Sequence, residues 1–173
     1  MVDAIPNWLH IVGAAAWAGP QFFMFVATVP SLRTIEDLRV RQRVLRVLTS
    51  RFNLLAWGAM IVLVLTGISN IFDASDDCGC DLTELRFTGI LTGKLVLVGA
   101  TIVLTAWHSF VVGPRLLGLN DRLISDSDPP DETELAFNRR ASIALSAVNV
   151  LLAVAILFMG ALLTSREYSL ELT

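Results

Sequence analysis

The stretch FNLLAWGAMIVLVLTGISNIF, residues 52–72, decides the fold. It lies between Arg51 and Asp73 and contains no charged side chain. A hydrocarbon layer about 30 Å thick is crossed by roughly 20 apolar residues in helical form, so this stretch spans once. The pattern recurs outward from it. Ala4–Leu32 and Ala141–Ser165 are free of Asp, Glu, Lys and Arg, and Phe87–Pro114 carries only Lys94. Each is long enough for a further span.

Composition agrees. Of 173 residues, 54% are hydrophobic and 17% charged, where soluble domains carry about a quarter charged residues. Mean hydropathy is +0.65. A net charge of -3 and a pI near 5.3 exclude the basic face that a nucleic-acid partner needs. Two cysteines build neither a disulfide framework nor a four-ligand zinc site. The sequence therefore predicts an all-α fold: a single-domain, up-down four-helix transmembrane bundle embedded in the lipid bilayer. Expected spans cover residues 7–30, 52–72, 88–112 and 141–165, with loops at 31–51, 73–87 and 113–140. The first stretch follows Asp3 instead of a basic segment and is too long for a cleavable signal, so it is expected to remain as a span.

Arginine sets the expected direction. Arg33, Arg39, Arg41, Arg43, Arg46 and Arg51 follow the first span, and Arg115, Arg122, Arg139 and Arg140 follow the third. Elsewhere only Arg86 and Arg166 occur. Cytoplasmic loops are enriched in Lys and Arg, so both termini and the 73–87 loop are expected outside. Trp8 then lies at the outer interface, with Trp57 and Trp107 at the inner one. Thr34–Asp37 has the form of a capping box, and Ile35, Leu38, Val44, Leu45 and Leu48 hold a helical spacing, as an amphipathic extension into the second span would. Asn120–Glu134, with Pro129 and Pro130, reads as a solvated linker.

Ionisable groups at membrane depth are costly and mark function. His10, Lys94 and His108 are the three in these spans. The first and third helices run the same way, so His10 and Lys94 fall at similar depth, while His108 lies about 21 Å beyond Lys94. That separation prevents His10 and His108 from ligating one haem iron. The fourth helix returns Met159 to the level of His10 and Lys94, and Cys78 and Cys80 sit in the loop above them. Imidazole, thioether and thiolate together suit cuprous copper, and imidazole with thioether also suits haem iron. His10, Met159, Cys78 and Cys80 are accordingly the candidate metal ligands, and Lys94 shares the layer of His10 and Met159.

Other polar residues have structural readings. Asn149, Ser142 and Ser146 fit interhelical hydrogen bonding, and Thr101 and Thr105 continue the Lys94–His108 stripe. Gly13, Ala14, Ala15, Ala16, Ala18 and Gly19 permit close helix approach, and Pro20 is expected to kink the first helix. His10, Ala14, Trp17 and Gln21 form one stripe facing the bundle.

His10, Trp17-Ala18-Gly19, Pro30, Arg51-Phe52, Thr66-Gly67, Lys94-Leu95 and Pro114-Arg115-Leu116, in that order, resemble the CopD copper-resistance family domain. The resemblance implies a plasma-membrane protein associated with copper uptake or tolerance, with His10 and Lys94 at its site. An early histidine and a lysine opening the third helix are also similar to HemJ, a four-helix membrane protein that binds haem and oxidises protoporphyrinogen. That likeness implies haem b, with His10 as axial ligand and Lys94 near a propionate. A homo-oligomer or a membrane redox partner is compatible with either likeness.

Overall fold

A computed structural model describes residues 4–78, 86–125 and 130–165, with the side chains of residues 4 and 73–78 excepted. The described residues form α1 (Ala4–Phe23), a π-turn (Met24–Thr28), α2 (Val29–Leu32), α3 (Leu38–Cys78), α4 (Arg86–Trp107), a second π-turn (His108–Val112), α5 (Gly113–Ser125) and α6 (Glu132–Thr164). Among them four helical stretches, Ile5–Leu32, Leu38–Phe72, Arg86–Ser125 and Glu132–Thr164, are long and apolar enough to cross a membrane. The protein is an all-α, multi-pass membrane bundle. One end carries the start of α1 and the end of α6; the other carries the arginine-rich segments.

The helices outrun the expected spans because the amphipathic flanks are helical too. α3 begins at Leu38 and runs 41 residues, about 60 Å. Its start is capped by Asp37, whose Oδ1 accepts from the backbone N–H of Arg39 at 2.8 Å and of Val40 at 3.3 Å. Thr34, the expected cap, instead donates to the Ser31 carbonyl at 2.8 Å. Asn120–Ser125 and Glu132–Glu134 belong to α5 and α6, so both ends of the expected linker are helical. Leu119 is buried in α5 and Leu135 in α6, and the two helices pack on one another; burial of such apolar residues favours helix in these polar flanks.

Pro20 lies within α1 without ending it. The irregularity falls one turn later, in the π-turn before Pro30, and a second π-turn precedes Pro114. Proline lacks an N–H and its ring crowds the carbonyl four residues back. A π-turn spreads that crowding by widening the loop of chain. Here the N–H of Val29 bonds the Met24 carbonyl, and that of Gly113 bonds the His108 carbonyl.

α1 packs chiefly on α3 and α4 on α6, while α1 also touches α6. The core between them is made of small residues among three large ones: Ala18, Ala56, Ala59 and Ala153 cluster with Trp17, Met60 and Ile156. Lipid supplies no hydrophobic force between helices, so close backbone approach and dispersion carry the association. Gly13 shows it directly, since a Cβ there would lie 3.3 Å from Leu63 Cγ. Large apolar side chains such as Phe23, Leu54, Leu65, Val103 and Phe158 point outward, as lipid contact requires.

At the arginine-rich end, Arg46 of α3 pairs with Asp121 of α5 at 2.6 Å, and Arg115 of α5 with Glu134 of α6 at 2.9 Å. Both pairs are exposed and contribute little individually. Asp131 caps α6, accepting from the Thr133 N–H at 3.1 Å and from the Thr133 hydroxyl. These bonds hold its carboxyl below the usual carboxylate range. A depressed carboxylate stabilises the fold above its unfolded pKa, and that contribution is lost as pH falls through the lower folded value. Asp131→Ala is therefore expected to lower the melting temperature at pH 7. Melts in detergent should show the difference from wild type shrinking as pH is taken below the carboxylate range.

Candidate functional site

α1, α3, α4 and α6 line an open cleft of about 1200 Å³ that reaches Asn7, Ile71, Phe87 and Thr164 at the end carrying the start of α1. Its walls are mostly apolar, with Met60, Leu63, Val98, Ile102 and Ile156 among them. His10 from α1 and Lys94 from α4 both line it. The parallel course of α1 and α4 brings these two residues to one level.

The orientation of His10 is fixed by α3. Its Nδ1 lies 2.8 Å from Thr66 Oγ1. The Thr66 hydroxyl donates to the Val62 carbonyl at 2.7 Å, one turn back on its own helix. With its hydrogen so committed, the Thr66 oxygen accepts from His10 Nδ1–H. The neutral imidazole then keeps its lone pair on Nε2, the atom left for a ligand. His10 lies against Gly67 of α3, where a Cβ would meet its Cε1 at 3.4 Å, and Lys94 lies against Gly160 of α6, where a Cβ would lie 3.4 Å from Nζ; both are ordinary contact distances, and they place the two polar heads beside those helix backbones.

Met159 reaches the same level by a different face. Its Cε packs where a Gly93 Cβ would be, 2.8 Å away, and it is not among the residues lining the cleft. The cleft does contain a thioether that sequence spacing did not single out, that of Met60, which is buried. Met60 precedes Thr66 on α3 and so sits about 9 Å deeper than the His10 level. The side chain of Cys78 and all of Cys80 lie outside the described residues. Among the described residues no three His, Cys, Asp or Glu side chains come together to hold a metal ion. The cleft thus offers one oriented imidazole, a neighbouring amine and, further in, a single soft sulfur.

His108 stands apart from this cleft. Its Nε2 lies 3.0 Å from Ser142 Oγ, joining α6 to the π-turn that follows α4. Trp107 beside it is exposed, as an interfacial residue would be. Asn149 binds across helices as expected, donating to Gln21 Oε1 at 3.1 Å and Thr105 Oγ1 at 3.2 Å. Ser146 instead donates to the Ser142 carbonyl of its own helix. Thr66 sets the orientation of His10 in the cleft; beforehand only its pairing with Gly67 stood out, because a threonine in an apolar helix has many ordinary uses.

A membrane bundle with a polar head group at one end of an apolar cleft defines the class. Within that class, the chain belongs to the copper resistance protein D family, CopD, whose model matches residues 46–163. The match takes in Lys94 and Met159 and leaves the first helix, with His10, outside it. No curated protein and no solved structure matches the chain.

Proposed function

We propose that the protein binds copper as cargo at the extracytoplasmic side of the plasma membrane and draws it into the cleft through His10. Membership of the copper-resistance family and the oriented imidazole support this reading. The observation that carries it is the committed Thr66 hydroxyl, which leaves His10 Nε2 as a lone-pair donor on a residue lining the cleft. Imidazole and thioether both accept cuprous copper, and Met60 offers a second contact deeper in the cleft. Lys94 beside His10 disfavours a second positive charge, which keeps residence brief and suits transfer more than storage. The arginine distribution supports placing both termini outside, so the cleft would open to the extracytoplasmic face.

Detergent-purified protein titrated with cuprous ion in the presence of a chromophoric chelator is expected to bind about one equivalent, as a single-imidazole entry site implies. His10→Ala is expected to abolish that binding while the circular dichroism of the helices stays unchanged. Unaltered copper binding in the variant would remove the basis of this reading.

The size of the cleft favours one second reading. About 1200 Å³ exceeds what a single ion needs and would admit haem b. His10 would then hold the haem through its imidazole and Lys94 would offer the counter-charge for a propionate, and the haem would supply one-electron chemistry. The purified protein would show a Soret band, lost in His10→Ala. Absence of that band from haem-supplemented membranes would exclude this reading without touching the copper one.

A further inference from the structure

On α1, His10, Trp17 and Gln21 repeat the spacing of Lys94, Thr101 and Thr105 on α4, and the two helices run in the same direction. Three polar levels result, separated by about 10 Å and then about 6 Å along the bundle. Below the first level the members are almost wholly buried: Thr101 is 2%, Trp17 4%, Gln21 6% and Thr105 7% exposed. Asn149 of α6 ties the third level together through its bonds to Gln21 and Thr105. Beyond it, toward the arginine-rich end, come the His108–Ser142 pair and a bond from Ser109 to Asn53 at 3.1 Å. Polar groups therefore recur from one end of the bundle to the other.

Mere helix adhesion would leave these groups paired. Yet three buried atoms have no hydrogen-bond partner among the described residues: Trp17 Nε1, Thr101 Oγ1 and Asn149 Oδ1. They come from three helices at adjoining levels, and they are a donor, a hydroxyl and an acceptor. That is the set of partners an internal water molecule requires.

We propose that the bundle conducts protons between the His10–Lys94 cleft and the His108–Ser142 pair, by way of water held at Trp17, Thr101 and Asn149. The hydroxyls of Thr101 and Thr105 both donate and accept, so a proton taken from one side is matched by another released on the other. Trp17, Gln21 and Asn149 orient water and hydroxyls without themselves passing a proton. The oxygens at the Asn149 level are hard amide and hydroxyl donors, unsuited to cuprous copper; Met60 is the deepest soft donor along the cleft. The passage therefore carries protons, and its test needs no copper.

The full chain is reconstituted in vesicles containing a trapped pH-sensitive dye, and a potassium diffusion potential set by valinomycin drives the flux. Wild type is expected to acidify the vesicles faster than protein-free ones. Thr101→Val and Thr105→Val are each expected to slow this about tenfold, the factor carried by one hydrogen bond on the conducting path. Thr28→Val, which removes a hydroxyl bonded to its own helix on an exposed face, serves as control and should match wild type. Thr101→Val sacrifices no bond to the described residues, so its melting temperature should not fall; the flux loss cannot then be ascribed to unfolding. Wild-type vesicles no leakier than empty ones would overturn the proposal. So would a Thr101→Val flux equal to that of wild type, whatever the copper titration gives.

Discussion

Replacing Thr66 with valine is expected to weaken copper binding by about tenfold to a hundredfold, although Thr66 itself touches no metal in the proposed site. Valine keeps the shape of the side chain and removes the oxygen that accepts from His10 Nδ1–H. The ring is then free to turn about its χ2 axis, and the two tautomers compete for the cleft. Ligand geometry loses its second support while the ligand remains. Competition against a cuprous chelator, run in parallel on Thr66→Val and His10→Ala, separates the cases. Graded weakening in the first and complete loss in the second is the expected pattern. Equal affinities for Thr66→Val and wild type would mean that copper does not depend on the Nε2 tautomer.

The second large effect concerns packing. Ala153 is 0% exposed and sits in the core cluster with Trp17, Ala56 and Met60. Leucine in its place adds three carbons where helices α1, α3 and α6 converge, and overpacking of this kind costs about 1–3 kcal/mol. Leu151, two residues away, is 68% exposed and faces lipid. Leu151→Ala should change stability by less than about 0.5 kcal/mol. Equilibrium denaturation of both variants in mixed micelles measures the contrast. Similar losses at the two positions would contradict the arrangement of α6 described above.

Much of the architecture was legible because lipid solvation imposes a simple rule: long uncharged stretches become helices. Phe52–Phe72 and the three related stretches needed no tertiary information. At the charged flanks that rule stops short, and there the helical spacing of Leu38, Val44, Leu45 and Leu48 pointed to the extension that α3 does make. The Asp37 cap and the packing of α5 that complete it are contacts hydropathy does not see. The stripe of His10, Trp17 and Gln21 was readable from helical periodicity alone, and His10 with Lys94 from matching depth on parallel helices. Rotation about a helix axis is a different matter. Met159 had the right height, but whether it faced the cleft or Gly93 depended on how α6 turns against α4. The role of Thr66 was hidden for the same reason, since its meaning comes from α1 across the interface and not from its neighbours in sequence.

The two π-turns have a genetic consequence. Each holds one residue more than a regular helix would use over the same length. Loss of a single codon within Met24–Thr28 or His108–Val112 would let the flanking segments rejoin in nearly the same phase. Elsewhere in a spanning helix, the same deletion swings every downstream side chain through about 100°, carrying lipid-facing residues into the interior. Single-residue length variation among related chains should therefore concentrate beside Pro30 and Pro114.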